Sequence, residues 1–166
     1  MNYDEASNYW IKKDSTAVHM DSAQLKVKID DFLKSHNTCA LATGCDDFVR
    51  CTPLEYNYLD NCIYIFSEGG LKFKALKKNH HIALAIYESY DGFGKLKSLQ
   101  LEGNLEIIDP FSEEYLKLLE YKKIPVEAMK KLPQAMHLLK ISPVTCDYLD
   151  SDLKKEGFST RQHLDY

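Results

Sequence analysis

Leu96-Lys97-Ser98-Leu99-Gln100-Leu101-Glu102-Gly103-Asn104-Leu105-Glu106-Ile107-Ile108 carries the clearest period in the chain. Leu99, Leu101, Leu105 and Ile107 are apolar, and Ser98, Gln100, Glu102, Asn104 and Glu106 are polar. A period of two predicts a β-strand with one face in a core and the other face elsewhere. Shorter runs around it read the same way. Residues 38–43 predict a first strand, followed by a turn at Gly44-Cys45-Asp46-Asp47. Residues 48–58 predict a second, ended by Asp60-Asn61, and residues 63–67 a third. Residues 82–87 predict a short buried strand, and Tyr90-Asp91-Gly92-Phe93-Gly94 a loop. The last strands are expected at 137–141 and 145–149, split near Pro143, which cannot donate to a ladder. Roughly five to seven short antiparallel strands with few helices point to a small barrel.

The helices are signalled by caps and stripes. Asp21-Ser22-Ala23-Gln24 reads as a helix start, and Leu25, Ile29, Phe32 and Leu33 form an apolar stripe running to about His36. Residues 111–121 predict a helix with Ser112 as cap and Glu113 and Glu114 in its first turn. A shorter helix is expected at 126–132, flanked by Pro125 and Pro133. Residues 1–20 show no clean period, although Tyr9 and Trp10 are candidate anchors for an arm. The tail, 155–166, is polar and turn-rich. No repeat or low-complexity linker divides the chain. A single domain over 1–166 is therefore expected, with an arm at 1–20 and a tail at 150–166.

Composition narrows the function classes. The 166 residues are 45% apolar and 28% charged, the profile of a globular chain with a real core. No apolar run approaches the roughly 20 residues of a membrane span. The N-terminal text lacks the basic and apolar regions of a secretory signal. No membrane association and a cytoplasmic location are the expectations. The net charge of −4 argues against a general nucleic-acid binder. Cys39, Cys45, Cys51, Cys62 and Cys146 are odd in number and contain no C-x-x-C pair, so reduced, mostly buried thiols are expected. No H-E-x-x-H or comparable spacing occurs, and no metal site is expected. The absence of G-x-S-x-G, P-loop and G-x-G-x-x-G text leaves hydrolase, kinase-like and Rossmann readings without residues to carry them.

The candidate chemistry lies in three segments. Read as a helix over 71–79, at roughly 100° per residue, Leu71, Phe73, Ala75 and Leu76 mark an apolar arc, with Lys74, Lys77 and Lys78 on the wet side. Lys72 falls inside the arc, just after Gly69-Gly70. A lone ammonium there needs an anion or must snorkel outward, and a helix start behind glycines suits a phosphate. In the second strand, Arg50 shares a face with Phe48, Thr52, Leu54 and Tyr56. Its partner is either a carboxylate such as Glu102 or Glu106, or a phosphate held by a fork-shaped donor. Pro53 implies a sheet edge, a bulge or a place where a ligand replaces the neighbouring strand. Ser67 either caps the Glu68-Gly69-Gly70 turn or binds a phosphate or ribityl chain. Ser98 and Gln100 are either ordinary exposed residues or, if the barrel dimerises, contacts to a flat heterocycle.

Taken in order, four segments resemble a known family. They are Asn37-Thr38-Cys39-Ala40-Leu41-Ala42-Thr43, Arg50-Cys51-Thr52-Pro53-Leu54-Glu55-Tyr56, Phe66-Ser67-Glu68-Gly69-Gly70-Leu71-Lys72-Phe73-Lys74-Ala75-Leu76 with Lys78-Asn79, and Ser98-Leu99-Gln100-Leu101-Glu102-Gly103. Over about residues 36–108 the chain resembles the pyridoxamine 5′-phosphate oxidase-like, FMN-binding split-barrel proteins. Gly157-Phe158-Ser159-Thr160-Arg161-Gln162 also looks like the C-terminus of one short branch. The resemblance implies a mainly β fold with flanking helices, a split β-barrel of the FMN-binding type, and a homodimer with FMN at the subunit interface. It implies Arg50 and Lys72 near the FMN phosphate, Cys51, Thr52, Pro53, Phe66 and Ser67 along the flavin, and Ser98 and Gln100 approaching from the long strand. Two departures matter. Gly70 and Leu71 stand where the family often carries Arg or Ser before the lysine, so phosphate contacts are fewer or come from backbone amides. The C-terminal arginine and histidine pattern for pyridoxamine phosphate is matched only loosely, by Arg161 and His163, so that substrate is not expected.

The resemblance thus implies an FMN-dependent oxidoreductase acting on an unidentified small molecule or electron donor, with nitro-group reduction as one subtype. The alternatives are a non-catalytic flavin-binding, storage or stress protein, and a haem-binding split barrel. No residue is assigned as catalytic acid or base.

Overall fold

One residue, Tyr56, separates β2 (Phe48–Glu55) from β3 (Asn57–Leu59), yet the two strands lie at opposite ends of the sheet. The sheet must therefore curl until its edges meet at Tyr56. That side chain is 1% exposed. Its hydroxyl donates to the Leu33 carbonyl at 2.8 Å and its amide to the Asn37 carbonyl at 2.8 Å, tying the corner to the helix before it. The computed structural model, which describes residues 2–166, has eight antiparallel strands. The others are β1 (Thr38–Cys45), β4 (Cys62–Ser67), β5 (His81–Tyr87), β6 (Lys97–Ile108), β7 (His137–Asp150) and β8 (Arg161–Asp165). The order is β2-β1-β5-β6-β7-β4-β3, with β8 also on β7. One side of β7 pairs with β6. Its other side pairs first with β4, over residues 137–141, and then with β8, over residues 145–149. This change of partner splits the barrel.

The helices sit where the caps place them. Among the described residues there are six α-helices, α1 (Tyr3–Ser7), α2 (Tyr9–Asp14), α3 (Ser22–Ser35), α4 (Lys72–Leu76), α5 (Glu113–Tyr121) and α6 (Val126–Lys130). Asp21 caps α3 by accepting from the amides of Ala23 and Gln24 at 2.9 and 3.3 Å. The stripe of α3, Leu25, Ile29, Phe32 and Leu33, joins Leu41, Ile65, Leu84, Leu101 and Ile141 in the main core. A second core lies under α5, where Tyr115, Leu118 and Leu119 meet Tyr64, Ile108 and Leu138.

Several expectations from sequence need correction. The strand expected at 48–58 divides at Tyr56, because its two parts serve different edges. The strands expected on either side of Pro143 are one strand. Gly103 of β6 faces Pro143 and Glu102 faces Thr145, so the ladder shifts there and Val144 is the extra residue of a bulge. Gly103 fits this approach because a Cβ there would lie 2.7 Å from the Ser142 oxygen. The alternation of β6 holds to Leu105 and then reverses. Ile107 is 40% exposed, whereas Ile108 is buried in the second core. The tail is not mere turns: residues 151–156 form a 3-10 helix and β8 completes the sheet. The arm contains α1 and α2, neither of which buries a residue; Met1 lies outside the described residues. Gln162 pins the segment after them, accepting from the Met20 amide at 2.8 Å and donating to the Val18 carbonyl at 3.2 Å.

Candidate functional site

The β1–β2 hairpin sorts the candidate residues by face. Cross-strand partners project from the same side of a sheet. Arg50 faces Thr43 and Thr52 faces Leu41, so these two point to the inner side, where Leu41 and Thr43 are buried. Cys51 faces Ala42 and Pro53 faces Ala40, so these two lie on the outer side. β2 is an edge strand, which explains how Pro53 is accommodated. Arg50 is exposed and makes no ion pair or hydrogen bond among the described residues. Glu102 and Glu106, the carboxylates weighed from sequence, lie on β6 and do not engage it.

Helix α4 is held across the Gly44–Cys45 end of this hairpin. Asn79 donates to the Gly44 carbonyl at 2.8 Å, and the Lys74 ammonium lies 4.8 Å from the Phe48 ring centre. The helix expected over 71–79 is only five residues long, and Leu71 is 59% exposed rather than part of the buried arc. So short a helix contributes little dipole, and any anion here is drawn by side-chain charge instead. Lys72, its first residue, is 5% exposed. Its ammonium donates to the Gly69 carbonyl and has no carboxylate partner among the described residues. Burial lowers its pKa from the ordinary lysine value. Gly69 and Gly70 take φ of 135° and 104°, values that only glycine adopts readily. A Cβ on Gly70 would lie 3.7 Å from the Lys72 nitrogen.

Ser67 closes the same turn. Its hydroxyl oxygen accepts from the Gly69 amide at 3.2 Å, so Ser67 caps the turn. Phe66 alternates to the other side, where its ring meets Tyr115 edge-on at 5.2 Å in the second core. Two residues at this end were not singled out from sequence. Thr43 is 3% exposed and its hydroxyl has no hydrogen-bond partner among the described residues. His137 pairs with Ser67 across the β4–β7 ladder, and its ring lies against that of Phe73, 4.8 Å between centres and tilted by 49°. The only sequence signal for Thr43 was its place at the end of an apolar strand.

Ser98 and Gln100 lie elsewhere. The register runs from Pro53 to Ala40, Ala85 and Gln100, three strand spacings, or about 14 Å. Between them the outer face carries Ala40, Ala42, Ala83 and Ala85. Within one chain, Gln100 therefore stands apart from Arg50 and Lys72. Beside it on β7 is Asp147, which accepts from Arg161 at 2.7 Å and is paired with His163 at 2.9 Å. Burial alone would raise the Asp147 pKa, but the bonds from His163 and Arg161 hold it below its ordinary value. The bond to Asp147 chiefly raises that of His163. The five cysteines are free thiols; burial pushes Cys39 and Cys146 up to about 12, which leaves them unreactive. No helix among the described residues is long and apolar enough to cross a membrane.

The model of the pyridoxamine 5′-phosphate oxidase family matches residues 25–150. The chain belongs to this family. The match runs from within α3 to the end of β7, and leaves out the arm with Trp10 and the strand with Arg161 and His163. No curated protein matches the chain. Among solved structures, the chain is similar to an FAD-binding protein of Mesorhizobium loti, at 19% identity over 73% of this chain and 89% of that one, with a TM-score of 0.60. It is similar to ChuZ of Campylobacter jejuni, at 18% identity over 89% of this chain and 61% of that one, with a TM-score of 0.66. It is also similar to the haem storage protein HutZ of Vibrio cholerae, at 16% identity over 72% and 89%, with a TM-score of 0.58. At these identities the likeness is one of fold.

Proposed function

We propose that the protein binds FMN and serves as an FMN-dependent oxidoreductase for a small molecule. The observation that carries this reading is Lys72, a buried ammonium whose only acceptor among the described residues is a backbone carbonyl. Burying a charge without a counter-charge is unfavourable, and a phosphate monoester supplies one. The residues present fit that group. Lys72 and the unpaired Arg50 are donors of the right charge, the orphaned Thr43 hydroxyl stands opposite Arg50, and Gly70 leaves space beside the ammonium. Arg50 suits the task because its fork matches a phosphate edge, while Lys72 acts as a point charge.

Thr52 and Ser67 would line the rest of the cofactor with their side chains, and Cys51 and Pro53, whose side chains point to the other face of β2, would do so with their backbone, as would Phe66. Ser98 and Gln100 are about 14 Å across the sheet from Pro53, so they reach the same flavin from a second copy of the chain. The alanine-lined outer face, flanked by exposed Val49 and Tyr87, suits such a homodimer. Bound FMN supplies hydride and single-electron transfer. The chain's own part is to hold the phosphate, orient the ring and keep positive charge nearby. The FAD-binding relative supports a flavin as ligand, and the single phosphate cradle favours FMN over a dinucleotide.

The test is a titration of flavin fluorescence. Lys72→Ala and Arg50→Ala should each weaken FMN binding by roughly tenfold or more, the loss of one charged hydrogen bond. Unchanged affinity in both variants would remove the phosphate assignment. Oxidation of NADH or NADPH in the presence of an acceptor separates the enzyme from a flavin store, and a Soret band in the purified protein would assign haem instead.

A further inference from the structure

The ring of Phe73, on α4, has two polar heads beside it. The Lys72 ammonium lies 5.4 Å from its centre, and the His137 imidazole lies 4.8 Å away between ring centres. The contacts also close from the other side. His137 is the cross-strand partner of Ser67, so the two side chains leave the same face of the sheet about 5 Å apart at Cβ. The Ser67 hydroxyl lies 3.2 Å from the Gly69 carbonyl, and that carbonyl is the acceptor of the Lys72 ammonium. Ser67, Gly69, Lys72, Phe73 and His137 thus form a closed circuit of contacts, drawn from β4, the turn after it, α4 and β7.

The imidazole in this circuit is unspent. His137 is half-buried, and its side chain makes no hydrogen bond or ion pair among the described residues. Glu68, the acid of the turn, is exposed and forms no ion pair among them. An imidazole carries one N–H donor when neutral and two when protonated. Packing against Phe73 alone would be served by a hydrocarbon ring, which takes no donor out of water. A phosphate monoester ends in three strong acceptor oxygens, each able to accept more than one bond, so an Arg50 fork and a Lys72 point contact leave acceptors over.

We infer that His137 is a third donor to the bound phosphate, reaching it from β7 while Lys72 reaches it from α4 and Arg50 from β2. The inference rests on the proposed function, because the phosphate it shares is the one assigned to Lys72.

The test compares FMN with riboflavin, the same flavin without the phosphate, by fluorescence titration of the full chain. His137→Phe keeps a ring against Phe73 and removes the N–H. It should weaken FMN binding roughly tenfold, the loss of one hydrogen bond to a charged group, and leave riboflavin affinity within about twofold. His137→Gln keeps an N–H donor and should recover most of the loss. Thermal melts confirm that the variants fold. In nitrogen-15 NMR of the unaltered protein, the His137 ring signals should move when inorganic phosphate is added, and this movement should vanish in Lys72→Ala. Unchanged FMN affinity in His137→Phe, an equal loss for FMN and riboflavin, or His137 signals indifferent to phosphate would each overturn the inference. A protein that binds no FMN but whose His137 signals follow phosphate would sink the flavin reading alone. FMN binding weakened by Lys72→Ala and Arg50→Ala but not by His137→Phe would sink this one alone.

Discussion

Replacing Lys72 by methionine separates what the ammonium costs the fold from what it contributes to ligand binding. Methionine keeps most of the length of the side chain and removes the charge. In the ligand-free protein Lys72 is 5% exposed, lacks a carboxylate and has its pKa lowered by burial. A group whose folded-state pKa lies below its unfolded value of 10.5 opposes folding in full at low and neutral pH. The opposition is relieved as the pH rises from the lowered value to 10.5. Lys72→Met should therefore stabilise the ligand-free protein at pH 7 by on the order of 1 kcal/mol. For a chain of this size that is a rise in Tm of about 2–4 °C. The same substitution removes one charge-assisted hydrogen bond to phosphate, about 1.5–3 kcal/mol, so FMN affinity should fall roughly ten- to hundredfold. Differential scanning calorimetry of FMN-free protein and a fluorescence titration measure the two effects on one preparation. A variant that is both less stable and unchanged in FMN affinity would refute the reasoning, because Lys72 would then be a structural residue satisfied by the Gly69 carbonyl.

Three further outcomes follow from other parts of the molecule. Tyr56→Phe removes a buried hydroxyl that donates to the Leu33 carbonyl and leaves that acceptor unpaired, so chemical denaturation should show a loss of about 1–3 kcal/mol. Gly103→Ala places a Cβ 2.7 Å from the Ser142 oxygen and 2.9 Å from Ile141; the β6–β7 ladder must shift, and a loss of about 1–3 kcal/mol is expected from overpacking, with wild-type stability as the contrary result. The Asp147–His163 pair should show in melting temperatures across pH. The bond to Asp147 holds the imidazolium above its ordinary 6.5, so its contribution is complete below 6.5 and is lost as the pH rises through the raised folded-state value. Asp147, held below 3.8, contributes fully above 3.8 and loses this as the pH falls through its lowered value. His163→Gln should flatten the decline above pH 6.5, and an unaltered profile would remove the pair from the account.

Much of the fold is legible in local text. The alternation of β6 needs only its own residues, and the α3 cap needs only Asp21 and the amides two and three positions on. The turns between paired strands are equally local: Asp60 and Asn61 take φ of 51° and 60°, the left-handed pair that a tight hairpin requires. The failures are those of long-range context. Pro143 reads as a break, but its missing amide falls where the β6–β7 register slips. Residues 161–165 are too polar to read as a strand, since β8 takes its pairing from β7 rather than from its own pattern. Ile107 and Ile108 exchange burial because a second core, built by α5, begins where the first ends.

The candidate site divides along the same line. The sequence by itself determined the identities and spacing of Arg50, Lys72, Ser98 and Gln100, and the period that makes the sheet, because both follow from neighbouring residues. Only the tertiary structure decided that Lys72 is buried with no carboxylate partner among the described residues, that the Thr43 hydroxyl has no partner among them, and that Arg161 is paired with Asp147. Whether a charge is satisfied depends on what surrounds it in space, and those neighbours come from strands and helices far apart in the chain.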